Sequence, residues 1–455
     1  MWEESILFTR TKMRIRGPDL KTWEDYQKRL QRQTWRKSRV KRLALVTLCM
    51  GCLFSILVFA IFGRSWIPGH GNRVVPSPSD NGKQPVESAE RFSREDLLMG
   101  LRGLELNATG LTSDFVLEKS GTRVTVKSSF DSALQDYVSN LLERSKTLQA
   151  AVVALNPNDG RILAMASYEK DGNKHNLCLE ASFPAASIFK IISAAAAFES
   201  AGFTPNQPVF FQGRKHTLYK SQLKQKKGKY TLQTSFRKAF ASSINPVFGK
   251  LGIYYLGQGV LSEYADKFLF NREIPFDLPV VMSTIDVPDD EYGLAEIASG
   301  FNKKTLISPL HGALMVSAVA NRGIVMRPWL VERVVSESGE ILYENKPTML
   351  ASPITRGTAK DLKLLMRDTV LYGTCRKSFR PLRRKKAFRE VELGAKTGNV
   401  NDKLNRFKYD WLTAYALPPD GGKAICIAVL GVHGEKLGVR ASELGRYIIN
   451  YYLSS

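Results

Sequence analysis

Ser187 and Lys190 stand three positions apart in the stretch Phe183 to Ala196, FPAASIFKIISAAA. Pro184 precedes the run, Ser187 opens it, and Ile188, Phe189, Ile191, Ile192 and the alanines leave only Ser187, Lys190 and Ser193 as a polar line. The spacing predicts a helix buried on most sides. A separation of i to i+3 puts the amine one turn from the hydroxyl on the same side. Burial disfavours the ammonium form, so Lys190 is placed to take the serine proton and leave an activated nucleophile.

The bare S-x-x-K pattern recurs from Ser38, Ser167, Ser221 and Ser235, and none of these opens a long apolar helix. Two further signals accompany the first. Ser243 and Asn245, in Ser242-Ser243-Ile244-Asn245, fall where the helical stretch SFRKAFASS gives way to NPVFGKLG, so both project from a loop between helices. Lys396-Thr397-Gly398 is the single K-T-G of the chain and ends an apolar strand pattern.

The elements that must hold these residues are readable from periodicity. Asp131 to Leu148 has helical spacing through Leu134, Tyr137, Leu141 and Leu142. AAVVAL and RILAMASY, joined by Asn156-Pro157-Asn158-Asp159-Gly160, form a hairpin pattern. Strands are expected again at 391–397, 409–416 and 424–432, and a helix at 441–452. Strands gathered from both ends around a helical middle imply one sheet with a helical lobe against it.

In that order and setting, the three motifs resemble those of the transpeptidase domain of the penicillin-binding proteins, relatives of the serine β-lactamases. AAVVALNPNDGRILAMAS, ISPLHGALMVSAVANRGIVMRPWLV and YDWLTAYA extend the likeness, which covers roughly Val124 to Ser455. The resemblance implies an α+β sandwich: a five-stranded antiparallel sheet flanked by helices, plus an all-helical lobe, with the active site between. It implies that Ser187 attacks the carbonyl of a D-Ala-D-Ala stem peptide, or of a β-lactam, and holds an acyl-enzyme. Lys190 would be the base, Ser243 would relay a proton to the leaving amine, and Asn245 would hold the peptide backbone. Lys396 would raise the local potential and, with Thr397, bind the terminal carboxylate. The amides of Ser187 and of Asn399, the residue after Gly398, would meet the oxyanion. No cofactor or metal is implied. Asn399 and Val400 stand where many relatives carry a second hydroxyl residue, and Ala185-Ala186 replaces a Gly-containing lead to the serine. The runner-up readings are a D,D-carboxypeptidase or β-lactamase of the same fold, and a catalytically silent wall scaffold or β-lactam sensor.

Composition sets the surroundings. The chain has 455 residues and a net charge of +23, which calls for an anionic neighbour. Residues 1–42 form a basic tail with thirteen Lys or Arg against five Asp or Glu. Leu43 to Gly63 is an uncharged, mainly apolar run long enough to cross a bilayer of about 30 Å as a helix. The positive-inside rule places the tail in the cytoplasm and everything after Arg64 outside, anchored at the cytoplasmic membrane by a single pass. Export argues against a nucleic-acid partner. Residues 64–88 have linker composition, 89–123 a small helical or mixed lead-in, and 124–455 the catalytic domain. The short distance between span and catalytic domain leads us to expect a monofunctional crosslinker working beside a separate glycan polymerase. Two stretches are strongly basic, 214–229 and 376–389. The second runs into the K-T-G strand, where it is either a solvated loop or a surface for peptidoglycan carboxylates or anionic headgroups. Cys178, Cys375 and Cys426 lie beyond the span without metal-ligand spacing, and the five histidines are scattered.

Overall fold

Apolar strands that read as near-continuous runs must be covered on both faces, and the fold follows from satisfying that demand. The computed structural model describes residues 114–455 apart from 120–121, 173–175, 227 and 403. The expected tail, membrane span and linker, and the lead-in up to residue 113, lie outside the described residues. Among those described, no helix is long and apolar enough to cross a membrane.

β1 (Asp114–Lys119) and β2 (Thr122–Ser128) pair as a hairpin and lead through α1 (Ser132–Glu143) to β3 (Gln149–Leu155) and β4 (Ile162–Glu169). A 3-10 turn, Ala186–Phe189, opens α2 (Lys190–Ala201). The helical middle continues with α3 (Phe236–Ala241), α4 (Asn245–Leu251), α5 (Gly257–Lys267), α6 (Glu291–Ser299) and α7 (Pro309–Ala320). β5 (Val331–Ser336) and β6 (Ile341–Glu344) precede α8 (Arg356–Leu371) and α9 (Arg376–Arg383). The chain then returns through β7 (Glu392–Asn401), β8 (Lys408–Leu417) and β9 (Ile425–His433) to α10 (Ala441–Ser454).

Five strands form an antiparallel sheet in the order β7-β8-β9-β3-β4, so the last three strands and the β3-β4 hairpin are joined through β9 and β3. Leu412 pairs with Val429, Val429 with Val152, and Val152 with Ala166. Successive side chains point to opposite faces. Val152, Ala164, Leu412 and Val429 face one core with α1, α9 and α10, while Val153, Met165, Trp411 and Ala428 face the other with α2, α7 and α8. A second sheet takes β1, β2, β5 and β6 in that order, and the expected domain boundary at 124 falls inside β2.

Three expectations change at their edges. α1 ends at Glu143 rather than Leu148. The Asp131 carboxylate caps its start through the Leu134 N–H at 2.9 Å, but Lys146 turns left-handed and Leu148 already donates to Val432 in the sheet. β7 runs past Thr397 to Asn401, since Asn399 and Val400 still pair with Asp410 and Tyr409. α10 continues two residues beyond Tyr452.

Trp411 links the sheet to the segment that leads into the serine turn. Its indole N–H donates to the Pro184 carbonyl at 2.9 Å, its ring meets Phe183 edge-on, and it is fully buried. Trp411→Phe leaves that buried carbonyl unpaired, and we expect urea unfolding to show a loss of about 1–3 kcal/mol.

Candidate active site

Ser187 lies on the 3-10 turn and Lys190 is the first residue of α2, so the apolar helix starts one turn later than its sequence suggests. Ala186, immediately before the serine, has φ of 49°, a left-handed conformation that a side chain at this position strains to adopt. The turn is held from outside: Gly300, with φ of 62°, approaches so closely that a Cβ there would sit 2.0 Å from the Ala186 carbonyl oxygen.

Lys190 is fully buried, and its Nζ is 2.8 Å from Ser187 Oγ, 2.8 Å from Asn245 Oδ1, and within hydrogen-bond reach of the Ser299 carbonyl. None of these partners is a carboxylate. Burial, reinforced by the nearby positive charge of Lys396, holds the Lys190 amine well below its ordinary range. A neutral amine has two N–H groups and one lone pair. Ser299 O is an acceptor only, as a carbonyl at the C-terminal end of α6, where helical carbonyls lack intrahelical partners. Asn245 presents its oxygen because its Nδ2 donates to the His216 carbonyl at 3.1 Å. In the neutral form both N–H groups are so engaged, which leaves the lone pair to accept the Ser187 proton across that 2.8 Å contact.

Lys396 reaches the site from β7. It is fully buried and donates to Ser243 Oγ at 3.1 Å and to the Thr397 carbonyl at 2.7 Å. Burial pushes its amine down to about 7. Ser243 accepts from Lys396, so its own hydrogen is directed elsewhere. Like Ala186, it is left-handed, with φ of 52°. Asn245 is the first residue of α4 rather than a loop residue, with Pro246 behind it in the helical first turn. Gly398 lies against the serine turn, where a Cβ would come to 3.1 Å from the Ser187 nitrogen, so β7 passes directly beside that amide.

All eight residues singled out in the sequence therefore converge: Ser187, Lys190, Ser243, Asn245, Lys396, Thr397, Gly398 and Asn399 border or underlie one cleft of about 600 Å³. The other S-x-x-K serines that the structure describes have local roles. Ser235 caps α3 through the Lys238 N–H at 3.4 Å, Ser167 lies in β4, and Ser221 lies in a short helix. Among the described residues no cluster of metal-ligating side chains occurs, and Cys178, Cys375 and Cys426 are free and buried. Burial raises the Cys178 and Cys375 thiols to about 12.

Sequence reasoning missed four contributors. Thr374, exposed at the cleft, has its hydroxyl 2.6 Å from that of Thr397. His216 places Nδ1 3.3 Å from the Ser243 carbonyl, and burial lowers its titration. Ser299 and Gly300 act through backbone. Thr374 and His216 carry no local motif, but Gly300 just after an apolar helix is a recognisable C-terminal signal.

Known proteins are similar to this chain in sequence and in fold. A family profile described as "Penicillin binding protein transpeptidase domain" matches residues 150–444. The chain is 25% identical over 312 residues to stage V sporulation protein D of Bacillus subtilis, covering 65% of this chain and 47% of that protein. It is 26% identical over 341 residues to peptidoglycan D,D-transpeptidase PbpA of Mycolicibacterium smegmatis, covering 66% of each. The chain thus spans about half to two thirds of these relatives. Its fold is similar to that of PBPA from Mycobacterium tuberculosis, with a TM-score of 0.58 at 24% identity, covering 72% of this chain and 80% of that one. Penicillin-binding protein 3 from the same organism, complexed with aztreonam, gives 0.60 at 17% identity, covering 72% and 78%. A profile that takes in Ser187, the Ser243 turn and the K-T-G strand, over more than half of the residues, makes this chain a member of the penicillin-binding-protein transpeptidase family.

Proposed function

We propose that the protein is a serine D,D-transpeptidase that crosslinks peptidoglycan stem peptides and is acylated by β-lactams. The observation that carries this is the fully buried Lys190 amine, whose Nζ lies 2.8 Å from Ser187 Oγ and within reach of two neutral acceptors. Relatives named as peptidoglycan D,D-transpeptidases support the substrate class.

In this reading Ser187 Oγ attacks the carbonyl of the penultimate D-alanine while its proton passes to Lys190. The new ammonium lies at the C-terminal end of α6, whose dipole favours a cation there. The amides of Ser187 and Asn399 hold the oxyanion, and collapse breaks the C–N bond. The leaving D-alanine amine takes its proton from Lys190 through the Ser243 hydroxyl. An incoming amine then attacks the ester, gives up its proton along the same route, and restores Ser187. β7 ends the sheet order, so its outer edge can receive an extended peptide as an added strand. The Thr397 and Thr374 hydroxyls bind the terminal carboxylate, so Thr374 supplies the hydroxyl that Asn399 lacks. Substrate carboxylate also returns Lys396 to its charged form, coupling binding above pH 7 to proton uptake. Residues 43–63 anchor the domain to the cytoplasmic membrane with the N-terminus inside, and a separate glycan polymerase supplies the strands.

Four outcomes test this reading. A fluorescent penicillin labels the chain, mass mapping finds the adduct on Ser187, and Ser187→Ala abolishes it; an adduct on another residue rejects the proposal. Lys190→Arg, which cannot give up its proton, slows acylation by about 10²–10⁴-fold. Thr374→Val lowers the second-order acylation rate about tenfold with the melting temperature unchanged, as expected for one lost hydrogen bond to a charged group. The fourth concerns stability. The unfolded chain holds a proton on Lys396 up to about 10.5, and the folded chain releases it near 7. Stability relative to Lys396→Met therefore climbs as pH rises from 7 to 10.5 and levels off outside that window. Denaturant melts across this range measure it.

A further inference from the structure

The connector between α8 and β7 turns a basic sequence into a shaped surface. Arg376, Lys377, Arg380, Arg383 and Arg384 fall at i, i+1, i+4, i+7 and i+8, which is one face of α9 and its last turn, and all five are exposed. Phe379 and Leu382, the apolar residues between them, are buried in the core beneath the sheet. Lys385, Lys386 and Arg389 follow, and no acidic residue occurs from 376 to 389.

This ridge has two informative ends. It starts two residues after Thr374, which lines the catalytic cleft and touches Thr397. Its far end borders a hollow of about 660 Å³ where Arg383 and Arg389 meet Lys360, Lys363 and Arg367 from α8. Glu390 and Glu392 are the acidic residues of that hollow, and Glu392 is engaged with Lys363 at 3.3 Å. Like charges fixed on rigid helices repel one another, and an anionic partner relieves that cost. Arginine forks match carboxylate geometry in a bidentate way. Phe379 and Leu382, the large apolar side chains of α9, are turned inward, so the helix offers no bulky apolar group to insert between acyl chains.

We propose that the α9 ridge and its hollow form a binding surface for the carboxylates of the peptidoglycan strand whose stem peptide enters the cleft. This rests on the transpeptidase reading and extends it from the reacting peptide to the polymer that carries it. The ridge holds neighbouring stem peptides by their free carboxylates and so keeps one strand in register with Ser187 between turnovers.

The test uses the full chain in detergent and purified sacculi, scored by co-sedimentation over a salt series. The variant is Arg376→Gln with Arg380→Gln, Arg383→Gln and Arg384→Gln. Its control carries the same change at Lys220, Lys224, Lys226 and Lys229 in the other basic stretch. The ridge variant should bind sacculi about tenfold more weakly at low salt and with a shallower salt dependence. Its rate of penicillin acylation should stay within twofold, which separates this proposal from the chemistry at Ser187. Carboxyl-amidated sacculi should show the same loss with the unaltered chain. Equal binding by the ridge variant, equal loss in the control, or unaffected binding to amidated sacculi overturns the proposal. Loss of binding to vesicles containing phosphatidylglycerol, with sacculus binding intact, overturns it in favour of a lipid surface. If the quadruple variant loses acylation, Arg380→Gln with Arg384→Gln is scored by the same criteria.

Discussion

A fully buried lysine whose surroundings disfavour its charged form is the constraint on which this site depends. Removing a lysine from water costs several kcal/mol if it stays charged, and the fold supplies no carboxylate to offset that cost. Lys190 is surrounded by an amide oxygen, a carbonyl and a hydroxyl, all neutral, and Lys396 adds positive charge nearby. A carboxylate in place of Asn245 would favour the charged form of Lys190. The identity of the surrounding acceptors therefore matters as much as their position.

Three distant pieces of chain meet at that amine. The serine turn comes from the core of the sheet domain, Asn245 and Ser299 come from α4 and α6 of the helical region, and Lys396 comes from an edge strand. The joints are tight. Gly300 and Gly398 press on either side of the serine turn where no Cβ fits without displacement, and Ala186 and Ser243 are left-handed. Such conformations persist when their surroundings over-determine them. Here the surroundings are a buried helix and a sheet packed on both faces.

Much of this was legible in the sequence because its signals are local. The apolar stretch around Lys190, the alternating strands and the K-T-G on β7 each follow from short-range periodicity. Their convergence could be read only through the resemblance that joins them. The shifted boundaries came from tertiary pairing that periodicity does not report: Asn399 and Val400 look like loop residues until Asp410 and Tyr409 lie opposite them. Thr374 was invisible for a related reason, since its only distinction is a contact with a residue 23 positions away. The Ser299 carbonyl was invisible because backbone oxygens carry no residue type. The asymmetry among the serine–lysine pairs, by contrast, was already present in composition. Ser235 lies in an amphipathic stretch, and it serves as a helix cap.

The closing of the serine turn by Gly300 has a consequence for fidelity. The carbonyl that fixes the Lys190 amine belongs to the residue just before this glycine, so the group that makes the alcohol reactive and the group that shapes its loop belong to the same helix end. A motion that pulled α6 away would take the Lys190 amine out of alignment in the same event that loosened the serine turn. Under the transpeptidase reading, an acyl-enzyme would then be without assistance when water is most abundant, so loss of alignment would itself oppose hydrolysis.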